Sequence, residues 1–212
     1  MSLAEPRPAR LRFPGVRAPK PRLAPEAESR LTPRQREVLD ELEALVVGGG
    51  FADLTMAQIA ARVNCSLRTL YGISPSKDEL VLTVVDRRLR RIGRRALDAA
   101  DSSRSPLESL RTYLRAANEA VQPTTVAFAR EFADVPGAKE MLDAHEAYVV
   151  AVARSLLERA IAEGEVARVD AAALAHVLGG LGREFARPGV ASNSPKETAD
   201  AITDIILRGL PR

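Results

Sequence analysis

The chain of 212 residues has no tryptophan, one cysteine and two histidines, and aromatic residues make up only 4% of it. A single cysteine excludes a disulfide framework and a four-cysteine zinc module. The longest apolar stretch, near residues 148–157, is interrupted by Arg154, so we expect no membrane span. Because residues 1–10 contain no apolar core of a signal peptide, we expect a cytoplasmic protein.

Motifs of common enzyme chemistry are also missing. The sequence contains no HExxH or Gly-x-Ser-x-Gly motif, and Gly48-Gly49-Gly50 is not followed by the Lys-Ser/Thr of a phosphate-binding loop. The two histidines, His145 and His176, lie far apart in the chain. The sequence therefore predicts no catalytic residues, no metal site and no cofactor, and we expect a protein that is not an enzyme.

The charge is unevenly distributed along the chain. The net charge of +3 combines +7 in residues 1–95 with −4 in the remainder, while residues 31–84 alone carry −2. The positive charge comes from a proline-rich segment, residues 1–30, and from an arginine run at 87–95. Six prolines disfavour regular structure, so we expect residues 1–30 to form a flexible basic arm that either contacts phosphates or only improves solubility. The arginine run is expected to be a solvated helix face.

Apolar residues recur at helical spacing through the rest of the chain, and Ser, Thr, Asp, Pro and Gly mark the boundaries. Thr32, for example, precedes Pro33 and the apolar positions Val38, Leu39 and Leu42. This pattern predicts an all-α fold with nine helices and no strand. Their approximate ranges are 33–47, 56–63, 67–72, 77–100, 106–121, 123–133, 138–163, 171–186 and 196–207.

Two of these helices are short and are joined by a tight turn. Asn64 in the turn tolerates the left-handed conformation that such a turn requires, and Ser66 is placed to cap the second helix. This arrangement is typical of a helix-turn-helix, whose second helix enters the DNA major groove. A helical hairpin inside a bundle would give a similar pattern.

A longer motif surrounds this turn. Gly50-Phe51 precedes Thr55 and Ile59-Ala60, then come Ser66 and Thr69-Leu70-Tyr71, and finally Ser76-Lys77-Asp78-Glu79-Leu80. With this spacing, residues 50–80 resemble the DNA-binding domain of the TetR family, and the helix lengths match the family along the rest of the chain. Two parts of the motif differ from the family pattern. Val63-Asn64-Cys65 replaces the usual Ala-Gly-Val of the turn, and Ser74 replaces a common Phe. Without this Phe, either the packing between the second helix and the helix that follows it is looser, or Ile73 takes its place.

The resemblance implies an N-terminal helix-turn-helix domain at 31–78 and a C-terminal ligand-binding and dimerisation domain at 79–212. It implies a homodimeric transcriptional regulator, a repressor in our interpretation, that dimerises through its last two helices. Such a protein would bind double-stranded DNA at a palindromic operator and be released by a small apolar or aromatic inducer. The residues expected to contact DNA are Thr55, Ser66, Leu67, Arg68, Thr69, Tyr71 and Lys77.

A ligand pocket is expected beside the long helix 138–163, which lines the inducer cavity in TetR-like proteins. Met141, His145 and Tyr148 share one face of this helix because they are spaced by four and three residues. An ordinary hydrophobic core is the alternative interpretation of the same residues. The candidate pocket residues are Leu110, Tyr113, Leu114, Phe128, Phe132, Met141, His145 and Tyr148.

Three further features allow more than one interpretation. Cys65 is either a reactive thiol or a small apolar residue, and we favour the second. Gly179, Gly180 and Gly182 indicate close approach of another helix, expected at the subunit interface, or else a kink. The alternative function for the whole chain is a helical protein- or RNA-interaction module without operator binding.

Overall fold

The structure, a computed structural model, describes residues 11–48, 50, 54–100, 105–121, 132–187, 190 and 194–211. These residues form α-helices and no strand, so the all-α prediction is confirmed. A 3-10 turn, Asn118–Val121, follows the sixth helix. The α-helices are α1 Pro25–Arg30, α2 Pro33–Gly48, α3 Met56–Arg62, α4 Leu67–Tyr71, α5 Lys77–Ala99, α6 Pro106–Ala117, α7 Ala138–Ala162, α8 Ala171–Phe185 and α9 Pro195–Arg208.

The helix boundaries agree closely with the predicted ranges, with two differences. The short helix α1 lies in the segment expected to be an arm, and α6 ends at Ala117 instead of continuing to Val121. The predicted helix 123–133 lies mostly outside the described residues. No helix in the described part of the chain is both long enough and apolar enough to cross a membrane.

The described residues divide into two compact units, which do not coincide with the predicted domain ranges. The first, here called the N-terminal unit, comprises residues 18–91 and 132–145. Its core joins α2, α3 and α4 to the first half of α5, so the helix-turn-helix is built on α5. The large residues that are fully buried in this core are Leu39, Leu42, Ile59, Leu70, Leu80 and Leu82.

The second unit, here called the C-terminal unit, comprises the described residues of 11–17, 92–121 and 146–211. Its core brings α6, α7, α8 and α9 together around the end of α5. The buried residues with the largest side chains are Leu110, Tyr113, Leu114, Leu156 and Leu157. The predicted functional division at residue 78 stays a prediction.

The expectation of a flexible arm does not hold for residues 11–30. In the N-terminal unit, Leu23 packs against the core, the backbone N–H of Arg22 donates to Asp86 at 3.0 Å, and the Arg90 guanidinium donates to the Pro19 carbonyl at 2.6 Å. In the C-terminal unit, Phe13 packs against the core. Prolines exclude regular strands and long helices, but they leave an extended segment free to bury the apolar residues between them. Residues 1–10 lie outside the described part.

The arginine run of α5 is also not simply a solvated face. Arg87 Nη1 lies 2.7 Å from Asp40 Oδ1 and 2.5 Å from Glu43 Oε1, both on α2. Arg91 pairs with the same buried Glu43 carboxylate. These arginines therefore join α5 to α2, whereas Arg94 is exposed as expected.

The glycines of α8 have a partner within the same chain. A Cβ added at Gly179 would lie 2.7 Å from Cγ2 of Val150 on α7. The close approach inferred from the sequence is therefore present at Gly179, where the neighbouring helix is α7 of this chain. A contact of these glycines with a second subunit stays a prediction.

Candidate DNA-binding interface

Helix α3 begins with a reciprocal cap between Thr55 and Gln58. The Thr55 hydroxyl accepts the Gln58 N–H at 3.3 Å, and the Gln58 side chain accepts the Thr55 N–H at 2.8 Å. Two backbone donors that have no partner within the helix are satisfied in this way. Thr55 is thus a helix cap in the structure, and its contact with a phosphate stays a prediction.

The turn between α3 and α4 has the conformation that the sequence predicts. Asn64 adopts φ 45°, in the left-handed region. The Cys65 N–H donates to the Ala60 carbonyl at 2.9 Å, which closes the end of α3. Cys65 itself packs partly buried against the core, and this burial raises the pKa of its thiol. A thiol with a raised pKa is a poor nucleophile, so the interpretation as a small apolar residue is the better one.

Sequence reasoning missed a residue that contacts this turn. Arg34, in the first turn of α2, donates from Nη2 to the carbonyls of Val63 at 2.9 Å and Asn64 at 3.0 Å. Its Nη1 lies 3.0 Å from Glu37 and 3.1 Å from Glu41, and the hydrogen bond with Glu37 raises the pKa of Arg34. No sequence signal links Arg34 to a turn that lies about thirty residues further along the chain.

The second helix of the helix-turn-helix, α4, is anchored by one residue and exposes several others; we call it the recognition helix in the proposals below. Ser66 caps it by accepting the Thr69 N–H at 3.1 Å, and the hydroxyls of Ser66 and Thr69 lie 2.9 Å apart. Leu70 is fully buried in the core, whereas 42% of Leu67 and 53% of Tyr71 are exposed. Arg68 is exposed as well. An exposed leucine and tyrosine on a five-residue helix form a surface suited to contact with a partner.

The end of α4 leads directly into α5. Ile73 and Ser74 are both buried, and Ile73 belongs to the core, which favours the alternative in which Ile73 takes the place of the missing aromatic side chain. Ser76 accepts the Glu79 N–H at 3.2 Å, which places the half-buried Lys77 in the first turn of α5. All seven residues expected to contact DNA therefore cap α3 and α4 or lie on α4 and at the start of α5, within the N-terminal unit.

The candidate pocket residues are divided between the two units. Phe132, Met141 and His145 belong to the N-terminal unit, where Phe132 and Met141 are part of the core. The C-terminal unit holds Leu110, Tyr113 and Leu114 in its core, with Tyr148 packed against it. Phe128 lies outside the described residues. A pocket formed by both sets stays a prediction.

Tyr113 is the most unusual residue of the predicted pocket. Its side chain is fully buried, and its hydroxyl has no hydrogen-bond partner among the described residues. Burial, with a smaller contribution from Tyr148, raises the pKa of Tyr113. The phenol is therefore neutral, and its polar end is held in an apolar environment where such groups are normally paired.

Comparison with known proteins agrees with this helix-turn-helix arrangement. No family model matches the chain. The HTH-type transcriptional repressor KstR of Mycobacterium tuberculosis is 30% identical over 137 residues, which is 62% of this chain and 60% of the repressor. The match thus covers less than two thirds of that protein's length.

Solved structures match over a larger part of the chain. A TetR family transcriptional regulator from Agrobacterium tumefaciens has a TM-score of 0.66 and 21% identity, covering 84% of this chain and 98% of that one. AibR, solved in complex with isovaleryl coenzyme A and operator DNA, has a TM-score of 0.58 and 19% identity, covering 81% of this chain and 97% of its own. The chain is an all-α helix-turn-helix protein with the fold of TetR family regulators, which is the fold that the resemblance in residues 50–80 implies.

Proposed function

We propose that the protein is a homodimeric, sequence-specific DNA-binding transcriptional regulator, and specifically a repressor. The proposal depends on the orientation of α4. Leu70 is buried in the core and fixes the helix there, whereas the side chains on its other side are exposed to solvent: Leu67, Arg68 and Tyr71. The similarity to a named repressor supports the same function. Binding, and not catalysis, is its proposed activity.

Each exposed group has a role in this proposal. The Arg68 guanidinium can donate two hydrogen bonds to one guanine, which is worth about 1–3 kcal/mol of discrimination between bases. Tyr71 and Lys77 would contact phosphates and position the helix without reading sequence. Because residues 31–84 carry a net charge of −2, bulk attraction to DNA contributes little, and affinity depends on these specific contacts.

Dimerisation through α8 and α9 is the second part of the proposal. Val177 on α8 is 51% exposed and Ile205 on α9 is 70% exposed, although both are aliphatic. Covering such residues in a two-fold interface removes apolar surface from water. A dimer of this kind would place two recognition helices about 34–36 Å apart, one turn of DNA, and would therefore read a palindromic operator.

The third part is release from DNA by a small apolar or aromatic effector bound beside α6 and α7. The polar group that such a ligand would contact is the buried hydroxyl of Tyr113, which has no hydrogen-bond partner among the described residues. AibR was solved with both an acyl coenzyme A and operator DNA, which illustrates an effector and DNA on one such fold. The effector needs only to bind the DNA-free state more tightly, and a hundredfold preference corresponds to roughly 2.7 kcal/mol.

The experiment is a fluorescence anisotropy titration with DNA from the region upstream of the protein's own gene, and with unrelated DNA of equal length. We expect tighter binding to the upstream DNA, and we expect Arg68→Ala combined with Tyr71→Phe to abolish that preference. Arg94→Ala is the matched control, because it removes one positive charge from an exposed site on α5. Equal affinity of the unaltered protein for both DNAs would favour the alternative of a helical protein- or RNA-interaction module.

A further inference from the structure

We propose that Arg34 is a positioning residue for the recognition helix, which it holds through the turn that precedes α4. This inference rests on the proposed DNA-binding function, because the position of α4 affects function only if α4 contacts DNA bases. Arg34 touches no base or phosphate in this proposal and acts through the backbone of Val63 and Asn64.

The first step concerns the hydrogen-bonding needs of the turn. Carbonyls in the last turn of any helix lack partners within that helix. Here the turn's own N–H groups are already used, since Asn64 donates to Ala61 at 3.2 Å and Cys65 to Ala60 at 2.9 Å. The carbonyls of Val63 and Asn64 instead receive both hydrogen bonds from Arg34 Nη2.

The second step is that these two carbonyls determine where α4 begins. Asn64 is the one left-handed residue of the turn, and its carbonyl lies two residues before the Ser66 cap. Rotation of this peptide would rotate the chain that enters α4. A guanidinium with fixed, planar N–H directions restricts that rotation more than a flexible ammonium would.

The third step is the way Arg34 is itself held. Its Nη1 is paired with the carboxylates of Glu37 and Glu41, which directs Nη2 toward the turn. Exposed ion pairs of this kind add little stability by themselves. Their effect in this arrangement is to orient the guanidinium so that it contacts residues about thirty positions away in the chain.

Gln35, the next residue in the chain, lies near the other end of α4. Gln35 accepts the Thr32 N–H at 2.9 Å through Oε1, and its Nε2 lies 3.0 Å from where a Cβ on Gly72 would be. Arg34 therefore contacts the turn that precedes α4, and Gln35 lies close to Gly72, which follows its last residue. A five-residue helix is unstable in isolation, so its orientation depends on contacts of this kind.

The test compares Arg34→Gln with Arg36→Gln, which makes the same charge change two residues further along α2. Arg36 donates to the Ser29 carbonyl and does not reach the turn in the structure. Amide hydrogen exchange is measured across residues 63–70 and, for reference, in the core of α2. For Arg34→Gln we expect exchange in the turn and α4 to rise about fivefold with α2 unchanged, and operator preference to fall by a similar factor.

Three results would count against the proposal. Unchanged exchange in the turn would show that the contacts with Arg34 do not hold it. A uniform rise in amide exchange across the whole N-terminal unit would show that Arg34 has a purely structural role. Equal losses of affinity for upstream and unrelated DNA would show the same. If Arg34→Gln fails to fold, Arg34→Lys replaces it, because lysine keeps the charge but lacks the planar guanidinium. We expect this variant to raise amide exchange in the same residues, 63–70, by a smaller factor.

The proposed function fails in a different way. If the unaltered protein shows no preference for the upstream DNA, operator binding is refuted, while the exchange measurement still decides whether Arg34 orders the turn.

Discussion

His145 Nε2 lies 2.8 Å from Oδ1 of Asp86, and both side chains are largely buried. The other carboxylate oxygen of Asp86 accepts the backbone N–H of Arg22 at 3.0 Å, and Arg90 Nε lies 3.3 Å from it. The Asp86 carboxylate on α5 therefore forms hydrogen bonds with α7 and with the segment that precedes α1. His145, which the sequence placed in a ligand pocket, uses Nε2 for this contact, and its role in ligand binding stays a prediction.

This arrangement predicts a pH-dependent loss of stability in the Asp86→Asn variant. Burial alone would raise the pKa of Asp86, but the hydrogen bonds from His145 and Arg22 outweigh it and lower the pKa. A lowered pKa stabilises the folded state above the unfolded value of about 3.9, and this stabilisation is lost as the pH falls through the folded pKa. We expect Asp86→Asn to lower the free energy of unfolding by about 2 kcal/mol at pH 7.

The measurement is urea unfolding at pH 7 and near pH 3, where the difference from the unaltered protein should shrink. Asp98→Asn is the control, since Asp98 lies exposed on the same helix. Its effect should stay within about 0.5 kcal/mol. Equal effects of the two substitutions, or a difference independent of pH, would contradict the role assigned to Asp86.

Local chemistry explains why much of the fold could be predicted from the sequence. The left-handed Asn64 and the Ser66 cap depend on residues within a few positions of each other, and the structure has both. Prolines also restrict the backbone only near their own positions. They therefore do not show whether a nearby apolar residue such as Leu23 packs against a core. The expectation of a flexible arm therefore does not hold for residues 11–30.

Partners that are distant in sequence were not predictable in the same way. The contacts of Arg34 with Asn64 and of His145 with Asp86 span 30 and 59 positions. A single sequence contains the charges but not the pairing between them. The same limitation explains why Arg87 was expected to face solvent, although it pairs with Glu43 on α2.

The contact between α8 and α7 gives a steric prediction. A methyl group at Gly179 would meet Cγ2 of Val150 at 2.7 Å, and the Val150 backbone lies only 3.4 Å away. Gly179→Ala should therefore destabilise the protein by about 1–3 kcal/mol, even though alanine favours helix. In a Val150→Ala background the same substitution should be less costly, as measured by thermal unfolding.

Gly93→Ala is the matched control for the Gly179 experiment. Gly93 lies inside α5, and apart from the backbone of its own helix no described residue has an atom within 4 Å of where its Cβ would be. Replacing it with alanine should stabilise the protein by about 0.5–1 kcal/mol, because alanine lowers the conformational entropy of the unfolded chain. The steric explanation would be refuted if both substitutions had the same sign, or if Val150→Ala left the effect at Gly179 unchanged.

The buried hydroxyl of Tyr113 leads to a prediction about the stability of the ligand-free protein. It makes no hydrogen bond with any described residue, so Tyr113→Phe should leave the stability of the ligand-free protein unchanged or raise it by up to about 1 kcal/mol. Leu114→Ala, in the same core, should cost about 2–5 kcal/mol. A loss of more than about 1 kcal/mol for Tyr113→Phe, measured by urea unfolding, would mean that the hydroxyl is paired.

The two acidic partners of Arg87 predict a contrast between buried and exposed ion pairs. Glu43 is 2% exposed and also pairs with Arg91, whereas Asp40 is 58% exposed and contacts the same Nη1 atom of Arg87. Replacing one partner of a buried pair leaves the other charge poorly solvated, so Glu43→Gln should lower the free energy of unfolding by about 2 kcal/mol. Asp40→Asn should lower it by no more than about 1 kcal/mol, because water screens the exposed pair.

Salt dependence separates these two effects further. Raising the ionic strength from about 0.1 M to 1 M shortens the screening length from about 10 Å to 3 Å, which weakens exposed pairs much more than buried ones. The effect of Asp40→Asn should therefore vanish in high salt while most of the effect of Glu43→Gln persists. Urea unfolding at both salt concentrations measures this, and parallel losses for the two variants would mean that Glu43 is no better shielded from solvent than Asp40.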